Sequence, residues 1–217
     1  MSDFASLRMT MVDTQIRPSD VTRFPIIDAM LHVPRENYVP PSKRDAAYIG
    51  ANLDLGSGRA LLDPRTFAKM IETLDILPSD LVLDIGAGFG YSTALLARLA
   101  QTVVALEEDE AMAEEAGRIL AADGVDNAVV VKGSLTGGAA KYAPYDAIVV
   151  GGGIEELPEA IASQLKEGGR IVAVVMTGAL GTVKYGLKTD GRIDWRYAFN
   201  ASAPVLPGFA KEKTFTL

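Results

Sequence analysis

The chain alternates between short unbroken apolar runs and stretches whose apolar positions recur with helical period. Runs at 81–85, 102–106, 128–132, 145–150 and 170–175 are rich in Val, Ile, Leu and Ala, and they predict five strands. Between them, 93–100 (TALLARLA) and 157–165 read as helices, the second stopped by Gly168 and Gly169. Ahead of the first strand, Phe67, Met70, Ile71 and Leu74 share one face of a helix opening at Pro64, with Asp63 a suitable N-cap. An earlier helix is expected from Ser19, with Phe24, Ile27, Ala29, Met30 and Val33 on one side and Pro34 as its stop. The two Val-Pro pairs of 33–40 (VPRENYVP) then demand extended backbone around them. Residues 1–18 show no sustained period and are expected to be a partly ordered arm; 47–62, with Gly50, Gly56 and Gly58, is expected to be a loop. After the fifth strand the alternation ends. Residues 182–188 and 193–199 flank Asp190-Gly191, a dipeptide suited to a tight hairpin turn. The expected architecture is α/β: a mostly parallel seven-stranded sheet with helices on both faces and an antiparallel C-terminal hairpin.

Composition narrows the partners. The 217 residues suit one domain, and the hydrophobic and charged fractions are those of an ordinary globular protein. A net charge of −7 argues against non-specific nucleic-acid binding, which needs a phosphate-neutralising surface. Cysteine is absent, which removes disulfides, a Cys-based metal site and a thiol nucleophile, and no metal site is expected. The N-terminal MSDFASLRMT lacks the apolar run of a signal peptide, and no stretch has membrane length, so a cytoplasmic protein with no membrane partner is expected. His32, the single histidine, lies beside apolar positions with nothing nearby to orient it as a base, and reads as a packing or surface residue.

The chemistry concentrates at 81–91, LVLDIGAGFGY, a buried-strand run ending in Asp84 and the glycines Gly86, Gly88 and Gly90. A strand that turns at once into a helix beside a ligand needs backbone without Cβ at the close approach. A dinucleotide fingerprint would put a third glycine at position 91, which is Tyr here; the run is instead D-x-G-x-G-x-G. Glu107 and Glu108 end the second strand, where an ionised carboxylate can accept both hydroxyls of a ribose, and Glu107 is the chosen residue. Others of the acids at 107–110 serve the start of the next helix. Gly133 and Ser134 lie at the C-terminal end of the third strand, the end at which open parallel sheets bind ligands. Gly151, Gly152 and Gly153 either clear space above the sheet or form a flexible loop. For Asp63, capping comes ahead of catalysis.

The D-x-G-x-G-x-G run resembles motif I of the class I S-adenosylmethionine methyltransferases, with their Rossmann-like fold. Over residues 10–176 the chain resembles, more narrowly, the protein-L-isoaspartate O-methyltransferase family. The matching pieces are MVDTQIR, AML-VPRENYVP, AAYIGANLDLGSGRALLDP, VLDIGAGFGYSTALLARL, APYDAIVV and LPEAIASQLKEGGRIVAVV. The resemblance implies methyl transfer from S-adenosyl-L-methionine, leaving S-adenosyl-L-homocysteine, to the free α-carboxylate of isoaspartyl residues in damaged proteins or peptides.

It also implies roles. Asp84, Gly86, Ala87, Gly88, Gly90 and Tyr91 would surround the amino-acid and ribose portions of the cofactor. Glu107, with Glu108 beside it, would take the ribose hydroxyls, and Gly133, Ser134 and Leu135 would lie along the adenine. The division implied is 1–62 as arm, helix and substrate-side loop, 63–176 as cofactor-binding core, and 177–217 as hairpin and tail. The family departs from this chain in two places. Ser134-Leu135 stands where members carry an acid and a glycine, and Leu62-Asp63 stands in ALLDP where members read T-I-S-x-P, with Leu62 at the position of the substrate-holding serine. Arg65 or Arg17 could supply the missing donor. An acceptor with an apolar group at Leu62, or a non-catalytic cofactor-binding role, are the alternative readings.

Overall fold

The computed structural model describes residues 3–211; the ends of the expected arm and tail, 1–2 and 212–217, lie outside the described residues. In chain order the helices are α1 (Phe4–Met11), α2 (Phe24–His32), α3 (Pro64–Leu74), α4 (Tyr91–Ala97), α5 (Glu110–Ala122) and α6 (Glu159–Ala162). The strands are β1 (Leu53–Gly56), β2 (Arg59–Leu61), β3 (Leu81–Ile85), β4 (Thr102–Glu107), β5 (Ala128–Lys132), β6 (Tyr145–Ile154), β7 (Leu165–Thr177), β8 (Leu180–Thr189) and β9 (Arg192–Asn200). The main sheet has the order β5-β4-β3-β6-β7-β8-β9, and β1 and β2 form a separate antiparallel pair.

β3 through β7 run parallel and β7, β8 and β9 antiparallel, as the alternation of apolar runs predicts. The chain starts the sheet at β3, moves outward to β5, then returns to the other side of β3 with β6. That reversal opens a crevice at the C-terminal ends of β3 and β6, where parallel sheets take their ligands. Side chains alternate across β3 with the period of two: Leu83 and Ile85 join the apolar cluster on one face, and Val82 joins the cluster on the other. The hairpin turn is Asp190-Gly191, both with positive φ (51° and 74°), the backbone that a two-residue turn of matching twist requires.

Four expectations are corrected. The arm is not loose: α1 continues through a π-helical turn, Val12–Ile16, because Met11, Val12 and Ile16 are buried in the core. The loop expected at 47–62 contains the β1–β2 hairpin. The helix expected at 157–165 shrinks to α6, since Leu165 pairs with Tyr145 and starts β7 early; the ambiguous apolar run was resolved by sheet pairing. Gly151, Gly152 and Gly153 are neither a flexible loop nor an open space but buried residues of β6. A Cβ at Gly152 would lie 2.7 Å from Leu206, and one at Gly153 would lie 2.7 Å from the Ala203 carbonyl, so the glycines admit the segment that follows β9.

Candidate active site

The turn after β3 is fixed by neighbouring strands. The Gly86 and Ala87 amides donate to the Leu106 carbonyl of β4 (2.9 and 3.3 Å), and the Gly90 amide to the Ala87 carbonyl (2.8 Å). Gly86, Gly88 and Gly90 all have positive φ, which is why the turn is spelled with glycine. Asp84 is fully buried; its Oδ2 accepts from Ser92 Oγ (2.6 Å) and Thr93 Oγ1 (2.7 Å), both on α4, while Oδ1 has no partner. Burial pushes the Asp84 carboxyl up to about 6 against the pull of the two hydroxyls, and the negative Glu107 adds to the rise. Tyr91 opens α4 and is buried, its ring edge-on to Tyr38 at 5.9 Å and beneath the Arg35 guanidinium at 4.7 Å.

Glu107 ends β4 as expected, but it is not the open strand-tip acid that its position in the sequence suggests. It is 0% exposed and saturated with donors. Oε1 accepts from the Glu108 and Asp109 amides (2.8 and 2.9 Å), Oε2 from the Gly88 amide (2.8 Å). The remaining capacity is taken by Arg59 of β2: Nε lies 3.0 Å from both oxygens and Nη2 2.8 Å from Oε1, a forked, charge-assisted pair. Arg59 is itself only 3% exposed. Glu108 is half-exposed, 3.9 Å from Arg59 Nη2, and Asp109 caps α5 by accepting from the Met112 amide (3.0 Å).

The third strand end completes the rim. The Gly133 amide donates to the Glu107 carbonyl (3.1 Å), Ser134 Oγ is exposed and 3.1 Å from Thr136 Oγ1, and Leu135 is buried. On the opposite side Leu62 is buried, and its carbonyl accepts from Arg35 Nη2 (2.6 Å). Asp63 caps α3: Oδ1 accepts from the Arg65 amide (2.9 Å), so the capping role read from the sequence is the one it has. The Asp63 amide in turn donates to Asn52 Oδ1 (2.8 Å). The structure thus brings together Leu62, Gly86, Ala87 and Tyr91, which line a common cavity with Arg35, Leu55, Phe67 and Ser92. It does not bring Arg17 or Arg65 there. Both are exposed, and Arg17 is paired with Asp13 (3.1 Å). His32 is also exposed, with Nδ1 2.8 Å from the Asp28 carbonyl.

Three residues of this site carry no local pattern: Arg59, Arg35 and Leu206. Arg59 had one weak signal, an arginine between Gly58 and Ala60, whose charge needs a partner if it is buried. Arg35, followed by Glu36 and Asn37, and Leu206 had none.

Residues 8–199 match the family described as protein-L-isoaspartate(D-aspartate) O-methyltransferase. A protein-L-isoaspartate O-methyltransferase 1 of Rhodopseudomonas palustris (strain HaA2) is 41% identical over 174 residues, 80% of this chain and 71% of that one. One of Roseiflexus sp. (strain RS-1) is 38% identical over 189 residues, 87% of this chain and 86% of that one. Among solved structures, a protein-L-isoaspartate O-methyltransferase superposes with a TM-score of 0.80 at 26% identity, covering 93% of this chain and 66% of that chain. A Plasmodium falciparum chain assigned to the same activity, in complex with S-adenosyl-L-homocysteine, shares the fold with a TM-score of 0.78 at 19% identity, covering 95% of this chain and 99% of that one. With motif, strand order and relatives in agreement, the chain belongs to the protein-L-isoaspartate(D-aspartate) O-methyltransferase family of S-adenosylmethionine-dependent enzymes.

Proposed function

We propose that this protein methylates the free α-carboxylate of isoaspartyl residues in damaged proteins or peptides. The observation that carries the reading is family membership across residues 8–199, in a chain whose glycine turn and strand-end acid stand side by side at the sheet's switch point. The cofactor supplies a sulfonium methyl, an electrophile that a carboxylate oxygen can take without a base. The acceptor is already ionised at neutral pH, so no proton has to be moved before attack. This accords with a cavity whose lining contains no histidine, His32 being exposed elsewhere. What the protein contributes is placement and exclusion of water, effects that by themselves supply several kcal/mol, on the order of 7–11 in well-oriented reactions.

The donor set suits S-adenosylmethionine in kind. Glu107 is an ionisable acceptor for a ribose diol, the Gly86–Gly90 turn removes Cβ atoms from the approach, and Ser134 and Leu135 offer a polar atom and an apolar face for the adenine. On the acceptor side, Leu62 with Leu55 and Phe67 lines the cavity with carbon, and Asn52 is the nearby amide side chain, holding Asp63 and the Ser202 carbonyl (2.8 Å). A hydroxyl at position 62 is therefore absent from this chain, and the Arg35 Nη1, buried without a partner in the lining of the same cavity, is a free donor on that side.

The test is transfer of labelled methyl from S-adenosylmethionine to an isoaspartyl peptide, with the matching aspartyl peptide as control. Incorporation confined to the isoaspartyl form is the expected result. No incorporation by a sample that binds the cofactor would overturn the isoaspartyl reading in favour of another acceptor or a non-catalytic role.

A further inference from the structure

The cleft over the glycine turn is filled by the protein's own side chains. The cavity that remains between Leu62, Gly86 and Tyr91 is about 20 Å³, room for a single water, whereas ligand pockets run to roughly 300 Å³ and more. Three side chains stand over the turn and its acid. Leu55 of the hairpin comes within 3.2 Å of where a Cβ at Gly88 would stand. Leu206 does the same at Gly86 (3.2 Å) and is 1% exposed. Arg59 caps Glu107.

Of the donors on Glu107, the amides of Gly88, Glu108 and Asp109 belong to the glycine turn and to the β4–α5 junction, which the fold holds in place. Arg59 alone comes from an element outside the main sheet. The β1–β2 pair is not joined to the main sheet, and a lone two-stranded hairpin has little stability of its own. It is pinned by contacts at its ends: Ser57 Oγ to Asp109 Oδ2 (2.7 Å), Asn52 Nδ2 to the Ser202 carbonyl (2.8 Å), and Pro207 against Gly58 (3.2 Å from a Cβ there). The last two tie the hairpin to the segment after β9, which is anchored in turn by the Leu206 amide on the Gly153 carbonyl (2.9 Å) and the Glu155 amide on the Phe209 carbonyl (2.9 Å).

We propose that Arg59 is an internal ligand of the nucleoside subsite, competing with the ribose diol for Glu107, so that cofactor binding is an exchange and Arg59 sets the affinity. The inference rests on the cofactor reading above, not on the acceptor. A carboxylate has about four lone-pair positions, and three backbone amides plus a guanidinium fork leave none for a diol. The ligand class that makes the exchange is a nucleoside with both ribose hydroxyls free. The fork must leave first, and Leu55 goes with it because both are on the hairpin; Leu206 follows through Pro207 on Gly58.

The experiment uses S-adenosylhomocysteine as the probe. Titration calorimetry compares the wild-type protein with Arg59→Met, which keeps the aliphatic stem and removes the fork, and with Arg59→Lys, which keeps the charge without bidentate geometry. Tenfold or tighter binding by Arg59→Met, with Arg59→Lys in between, is the expected result. Unchanged or weaker binding by Arg59→Met, or binding by none of the three proteins, would overturn it.

The Arg59 Nε–H resonance of the wild-type protein, identified by its loss in Arg59→Lys, gives a second readout that does not depend on the Met variant folding. It should shift on saturation with S-adenosylhomocysteine, and a resonance that stays in place at saturation would overturn the exchange. Tighter binding by Arg59→Met in a protein that leaves isoaspartyl peptides unmethylated would keep the exchange and remove the acceptor reading. Methylation with no exchange signature would do the reverse.

Discussion

Asp84 and Glu107 stand at the ends of adjacent parallel strands, both 0% exposed, and they are held in opposite ways. Asp84 has two hydroxyl donors on one oxygen and nothing on the other, and its carboxyl is pushed up to about 6. Glu107 has a guanidinium and three amides spread over both oxygens. Equal burial therefore does not mean equal character. One carboxylate is short of donors and is held at the cost of its ionised form; the other carries a full set of donors, one of them from the hairpin. The difference lies in what each neighbouring element brings: α4 offers Ser92 and Thr93, and β2 offers Arg59.

Removing the saturated carboxylate should have the largest effect. Glu107→Ala leaves the Arg59 guanidinium buried without its partner and strips the acceptor from three amides. Breaking one side of a buried pair costs about 3–5 kcal/mol, so chemical denaturation should show a loss of that order. Replacing both partners, Glu107→Leu with Arg59→Met, should recover much of it, because no charge is then stranded. A Glu107→Ala protein as stable as the wild type would mean that the pair contributes little and that the hairpin is held by its other contacts.

The under-supplied carboxylate should instead reveal itself through pH. Because its folded value of about 6 lies above the ordinary 3.8, the native state holds a proton that the unfolded state has released between these two values. Stability from this group is therefore present below pH 4 and lost as pH rises through 6. A rise of about two units corresponds to about 2–3 kcal/mol at 1.4 kcal/mol per unit. Asp84→Asn cannot ionise, so the difference in unfolding free energy between wild type and variant should move by that amount between pH 4 and 7, against the wild type. Parallel pH profiles for the two proteins would show that Asp84 titrates normally.

The same contrast separates what the sequence makes legible from what it conceals. The β3 turn is written locally: an apolar run, Asp84 and three glycines in positive φ, all within ten residues, so its strand, turn and helix could be read in order. The Asp63 cap and the Asp190-Gly191 turn were legible for the same reason. The closure of the site is written across distance. Arg59 meets Glu107 forty-eight positions on, Asn52 meets Ser202 a hundred and fifty positions on, and Leu206 reaches back to Gly86. No period or spacing encodes such contacts, so the position of Glu107 points to ribose and gives no sign of the arginine on it. The N-terminal helix escapes a local reading for a related reason. Its order comes from tertiary partners, Met11, Val12 and Ile16 buried in the core and Arg8 on the Leu31 carbonyl (3.3 Å) and on Glu36 (3.2 Å), rather than from a regular apolar face of its own.

The smallest effect sharpens the account of Asp84 itself. Thr93 is buried and its hydroxyl serves the carboxylate, so Thr93→Val keeps the shape and removes one of two donors that hold the carboxyl down. The ionised form then loses support while the protonated form, able to donate elsewhere, loses less. At pH 7 the variant should be less stable by about 1 kcal/mol, the net value of one such hydrogen bond. At pH 4, where Asp84 is protonated in the native state, the deficit should shrink, and the upper end of the pH transition should move higher. Ser92→Ala should act in the same direction and by less, because Ser92 is only part-buried and water can replace its hydroxyl. A Thr93→Val deficit that is the same at both pH values would mean that the hydroxyl serves packing alone, and that the shift of Asp84 is set by burial and Glu107 without help from α4.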